Sequence, residues 1–236
     1  MQIMFDTIIP YYFYCESASG SIPQPLNFLS CVAFWFAALW MWHTKSEDDE
    51  SPSFHQVSAI ILFLLGFSGM VWHVGGVPWV QALDMFLMFL LFIIIAVVIA
   101  NDVLRWDLAK GLSVVLTLIV LSALLKDEAV GLLPQNGGLF LPLLFFLAIA
   151  SLKIQTVSEE VTVYLLSAAY TLFFGLMARS TDLFLCGYFP QGLHFLWHLL
   201  LVVSVIYIGK TVTAMRSVPL PKSSDVDDTE PDEEKA

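Results

Sequence analysis

The sequence predicts an all-α protein, a bundle of seven transmembrane helices with its N-terminus exoplasmic and its C-terminus cytoplasmic. Three observations carry that prediction. The 236 residues are 58% hydrophobic and 13% charged, with a mean hydropathy of +0.79, whereas a soluble domain carries roughly 25% charged residues. Apolar runs long enough to cross a hydrocarbon core, which takes about 20 helical residues, recur along the whole length between polar or Gly/Pro-rich breaks. The basic residues gather at alternate breaks.

The spans are expected at residues 27–43, 54–73, 79–101, 104–125, 138–152, 157–179 and 192–215. The fifth is short, and Pro142 near its start is expected to kink it. No continuous heptad or long internal repeat is visible, which disfavours a coiled coil or an inverted-repeat transporter. The segments do not alternate apolar and polar residues as the strands of a membrane barrel do. Residues 1–26 lack the basic start and small-residue cleavage site of a signal peptide and read as an exoplasmic N-terminal segment. Residues 27–215 form the membrane domain. The tail, 216–236, ends in "SSDVDDTEPDEEKA", lacks apolar periodicity and is expected to be a disordered cytoplasmic segment. This tail and "SEDDE" at 46–50 supply much of the formal net charge of −11, which points to no nucleic-acid role.

Seven spans put the termini on opposite faces. The C-terminal face receives Lys45, Arg105, Lys153, Lys210, Arg216, Lys222 and Lys235, with Lys110 about a turn inside the fourth span, while the other face has only Lys126 and Arg179. Short loops rich in Lys and Arg stay in the cytoplasm, so the N-terminal face is expected to be exoplasmic. This topology sorts the five histidines by depth. His73 ends the second span, Asp84 lies within two turns of the start of the third after "VGGVP", and His194 and His198 occupy the first two turns of the seventh. Three imidazoles and a carboxylate therefore approach one depth in the exoplasmic half. His43 and His55 sit at the opposite ends of the first two spans and are not expected to join them.

Residues four apart share a helix face, so His194 and His198 can point at one ion. Such a pair alone is a weak signal, because a histidine also hydrogen-bonds within a packed bundle; His73 and Asp84 at the same depth strengthen it, since ionisable groups in membrane spans are costly. Three neutral imidazoles suit zinc with an open fourth position, the usual catalytic arrangement, in which bound water becomes acidic enough to attack a carbonyl at ordinary pH. Asp84 would orient a ligand or take the proton from that water, or else is a carboxylate favoured near a helix start. Cys15 and Cys186 both fall on the exoplasmic side, where they are either a disulfide holding the N-terminal segment over the mouth of the bundle or two free thiols. Cys31, inside the first span, reads as an inert buried thiol.

These residues in this order resemble the alkaline ceramidase family, within the larger group of seven-span membrane hydrolases that includes the adiponectin-type receptors. "YCES" at 14–17 resembles the family's Trp-Cys-Glu segment, and "NFLS" at 27–30 its Asn-x-x-Ser. "SGMVWH" ending at His73, Asp84 eleven residues later, and "HFLWH" at 194–198 match its metal site. The resemblance implies Zn2+ held by His73, His194 and His198, Asp84 beside the metal water, a Cys15–Cys186 disulfide, and hydrolysis of the ceramide amide to a sphingoid base and a fatty acid. The partner it implies is a membrane lipid, ceramide or a related N-acyl lipid, with no obligate protein partner.

The sequence departs from the family at two places. The family's site serine stands four residues before the first histidine, where this chain has Gly69, with Ser68 one position earlier. One residue rotates a helical side chain by about 100°, so Ser68 serves as a catalytic residue only on a distorted helix and otherwise bonds back to its own helix. The family's calcium loop would place ligands near Phe13, Glu16, Ala18 and Gln24, of which only Glu16 is a carboxylate; Ca2+ wants six to eight oxygens, so tight binding is not expected, and Glu16 caps a turn or meets a substrate headgroup. Two other functions compete: a non-catalytic or receptor-like seven-span protein with a structural metal, and haem held between histidines of two helices.

Overall fold

The computed structural model describes residues 14–16, 23–44, 54–128 and 137–219, and among these it is helical with no strand. The first span is α1 (Pro25–Ser30) followed by α2 (Val32–His43), the second α3 (Phe54–Gly75) and the third α4 (Pro78–Val98). α5 (Leu108–Glu128), α6 (Leu141–Ile154), α7 (Glu159–Thr181) and α8 (His194–Arg216) complete the seven. Seven helices are long and apolar enough to cross a membrane, and their ends fall within about a turn of the limits expected from the sequence. Most of the N-terminal segment, the "SEDDE" loop and the tail from residue 220 on lie outside the described residues.

Large apolar side chains on the outside, among them Phe36, Phe63, Phe67 and Phe86, face what would be lipid in a membrane, where their exposure costs nothing. The inside is packed around Trp197, Phe140, Leu91 and Leu165, all fully buried. α8 packs most extensively against α7, and the Ser204 hydroxyl donates to the Ala168 carbonyl across that interface at 2.9 Å, a polar link of the kind that fastens helices in apolar surroundings.

Local deviations from regular helix set the positions that matter. Pro142 does not kink the fifth span. It falls in the first turn of α6, after a 3-10 turn at Gly137–Phe140, where its missing N–H has no helical partner to lose. The first span is broken at Cys31, whose N–H bonds back to Phe28 O at 3.2 Å, a tightened turn that leaves the Asn27 carbonyl to the side chains of Ser30 and Cys31 at 2.8 and 3.2 Å. α3 ends at Gly76, whose φ of 57° and N–H bond to Trp72 O at 2.8 Å form a left-handed cap. Pro78 at the start of α4 then reverses the chain within two residues, so His73 and Asp84 end at the same level.

Candidate metal centre

Polar side chains converge where α1, α4 and α8 begin and α3 and α7 end. A cavity of about 50 Å³ there is lined by Tyr14, Trp72, His73, Gln81, Asp84, Met85, Met88, Arg179, His194 and His198. The structure thus brings together the three histidines and the carboxylate that the sequence placed at one depth. The rings of His73 and His198 are 5.2 Å apart, those of His194 and His198 4.8 Å, and those of His73 and His194 5.6 Å.

Two of the rings are oriented by the first span. His73 Nδ1 lies 2.6 Å from Gln24 Oε1, an oxygen that can only accept, so Nδ1 carries the proton and Nε2 the lone pair. His198 Nδ1 lies 2.7 Å from Ser30 Oγ. The Ser30 proton is already given to the Asn27 carbonyl, so His198 Nδ1 donates and its Nε2 is likewise a lone pair. Anchoring one ring nitrogen on an oxygen to free the other is how metal-binding histidines are held. His194 is different: its Nδ1 is buried with no hydrogen-bond partner among the described residues. An unpaired buried polar atom costs about 1–3 kcal/mol, so the orphan fits an imidazole available to a ligand.

The sulfur of Cys31, a buried free thiol, lies near two of the rings, 3.8 Å from His198 Nδ1. The group whose ligand atoms all lie within 4.8 Å of one another consists of Cys31, His73 and His198, all buried, with His194 beside it. Tetrahedral zinc with bonds of 2.0–2.3 Å wants donors roughly 3.3–3.8 Å apart, a closing of side chains by about 1 Å. The donor types and their burial fit a borderline-soft divalent ion.

Asp84 reaches the cavity from the second turn of α4 and accepts the Ser68 hydroxyl at 2.8 Å. Ser68 also lies 3.2 Å from Leu65 O of its own helix and is not among the residues that line the cavity, so its place is behind the carboxylate. At Gly69 there is no room for a serine, because an added Cβ would stand 2.7 Å from Cys31 Sγ.

The N-terminal segment closes the site. Cys15 and Cys186 form a disulfide, and Tyr14 lies over the cavity with its ring 4.0 Å from that of His194 and its oxygen accepting from Trp72 Nε1 at 3.3 Å. Burial pushes the Tyr14 hydroxyl above its ordinary pKa, with the Arg179 charge opposing. Glu16 accepts from the backbone N–H groups of Leu26 and Asn27 at 2.6 and 2.8 Å, and so caps α1. Burial raises its carboxyl above the ordinary carboxylate value, against those two bonds. With Gln24 holding His73, two of the four expected calcium positions are engaged elsewhere; Phe13 and Ala18 lie outside the described residues.

Two residues escaped the sequence reading. Asp182, fully buried, accepts from the backbone N–H groups of Leu193 and His194 at 2.5 and 3.0 Å and of Cys15 at 3.0 Å, so it caps α8 and ties the N-terminal segment to it. Its cue was an acidic residue twelve positions before His194, a spacing with no helical meaning. Arg179, expected only as a basic residue at the end of the sixth span, is buried in the cavity wall, its guanidinium 5.4 Å from the Trp197 ring and 5.8 Å from that of Phe140. His43 and His55 stay apart, His55 lying 3.3 Å from Gly209 O on α8. Comparison of the chain with protein-family models, curated proteins and solved structures finds no match, so the centre is interpreted from its own geometry.

Proposed function

We propose that the chain is a metal-dependent intramembrane hydrolase that cleaves the amide bond of ceramide or a related N-acyl lipid, giving a sphingoid base or other amine and a free fatty acid. One observation carries this reading: three imidazoles and a carboxylate from α3, α4 and α8 meet in one cavity of a membrane bundle, where ionisable groups are costly and functional. His73, His194 and His198 would hold the ion, and zinc suits such a set. When bound, it supplies a Lewis acid that polarises a carbonyl and makes water reactive near neutral pH.

The protein's own groups then divide the remaining work. Asp84, with one oxygen held by Ser68, takes a proton from the attacking water and delivers it to the amine as the C–N bond breaks. Arg179 in the cavity wall offers fixed positive charge to the carbonyl oxygen as it gains negative charge. A cavity of about 50 Å³ holds only a few water-sized groups, so the scissile carbonyl enters while the chains stay in the bilayer. The excess of Lys and Arg at the opposite end and the disulfide at this one, a bond that persists in oxidising compartments, support an exoplasmic site. The similarity of the residue pattern to the alkaline ceramidases supports the substrate class.

Cys31 favours a second reading. Four protein donors, Cys31, His73, His194 and His198, would close a structural site in a non-catalytic or receptor-like protein. Elemental analysis of purified protein, paired with fatty-acid release from a panel of ceramides and other N-acyl lipids, separates the two. The hydrolase is expected to carry one zinc and release fatty acid, to lose both in His194→Ala, and to keep metal but lose turnover in Asp84→Asn. Stoichiometric zinc without hydrolysis of any N-acyl lipid favours the structural site.

A further inference from the structure

We propose that Cys31 is itself a ligand of the metal, so that the centre is a mixed thiolate–imidazole site. The proposal rests on reading the cavity as a metal site and holds for either function of it: with all three imidazoles the sulfur closes the site, and with two of them it leaves a position for water. Two independent observations point to the sulfur. Its Sγ lies with one nitrogen each of His73 and His198 inside a single 4.8 Å group, 3.8 Å from His198 Nδ1, and the His194 ring, 4.8 Å from that of His198, carries a buried nitrogen with no partner among the described residues. The position facing it on α3 is Gly69, where a Cβ would stand 2.7 Å from Sγ and 3.7 Å from Asp84 Oδ1. Any side chain at residue 69 would therefore compete with the sulfur for the space between α1 and Asp84, and glycine leaves that space to the thiol.

The backbone presents the sulfur inward. The tightened turn at Cys31 buries Ser30 and Cys31 together, one holding His198 and the other reaching the ion. Coordination would exchange the Sγ–H bond to Asn27 O, 3.2 Å long, for a sulfur–metal bond, with the thiol proton released to solvent as the metal binds. Asn27 O keeps the Ser30 hydroxyl as its donor, so no buried carbonyl is stranded. A thiolate in the set selects zinc, cobalt or cadmium over magnesium, calcium or manganese.

Cobalt substitution tests this without reference to turnover. The chain has three cysteines, and Cys15 and Cys186 are joined to each other, so a thiolate-to-cobalt charge-transfer band can come only from Cys31. The expected result is one Co2+ per chain with that band in the near ultraviolet, and its loss in Cys31→Ser and Cys31→Ala while the weaker visible bands of a histidine-bound ion remain. X-ray absorption of the zinc form is expected to show one sulfur at about 2.3 Å. Cadmium affinity should fall in Cys31→Ser by more than the roughly 10–100-fold that loss of an outer partner costs. Visible bands without charge transfer, or a band that survives Cys31→Ser, would overturn the ligand role and leave the metal site standing. Failure of wild type to bind any metal would overturn the metal site with it.

Discussion

At Gly69 a missing side chain decides what the neighbouring residues are able to do. Serine there would have to displace the Cys31 sulfur, whose distance to an added Cβ is 2.7 Å. Gly69→Ser is therefore expected to destabilise the protein by about 1–3 kcal/mol, the usual cost of overpacking, and Cys31→Ala should recover most of it. Thermal unfolding of both single variants and the pair measures the coupling; additive losses would show that the two positions do not share one space. Asp182 is the second residue on which the site depends. Asp182→Ala strands the backbone N–H groups of Cys15, Leu193 and His194, each worth about 1–3 kcal/mol if left buried and unpaired. A fall in melting temperature together with weaker metal binding is expected, since the same carboxylate sets the first turn of α8 and the place of His194. Gly192, at φ 68°, has a related role: a Cβ would meet Asp182 Oδ1 and Cys15 Cβ, so Gly192→Ala should share the phenotype.

At the scale of elements, the first span orients the ligands that the other helices carry. Gln24, just before α1, and Ser30, its last residue, bind the Nδ1 atoms of His73 on α3 and His198 on α8. Gln24→Leu leaves His73 Nδ1 without its acceptor and frees the ring to turn. Metal affinity is expected to drop roughly 10–100-fold with the helical content unchanged, as read by circular dichroism and metal titration. An unchanged affinity would show that His73 is oriented by packing alone. The "NFLS" segment showed that polar residues stand near the start of the span, but not which histidine each would meet. Those meetings depend on the turn at Cys31, which arises from competition between backbone and side-chain donors for the Asn27 carbonyl and leaves no periodic trace.

At the scale of the whole molecule, the centre joins distant parts of the chain, and the disulfide adds a covalent link across a separation of 171 residues. Replacing Cys15 and Cys186 by serine is expected to lower stability by about 2–5 kcal/mol and to loosen Tyr14 over the cavity. Faster metal loss to a chelator, compared with wild type, checks the second effect. By itself the sequence determined the seven spans, the depth of each histidine and carboxylate along them, and the side of the bundle shared by Cys15 and Cys186, because length and hydropathy are properties of one helix at a time. Only the tertiary structure decided that the Cys31 sulfur lies near His73 and His198, that Ser68 donates to Asp84, that Arg179 lines the cavity and that Asp182 caps α8. Those are lateral meetings, set by how each helix is rotated and packed against its neighbours, and a residue's depth does not specify them.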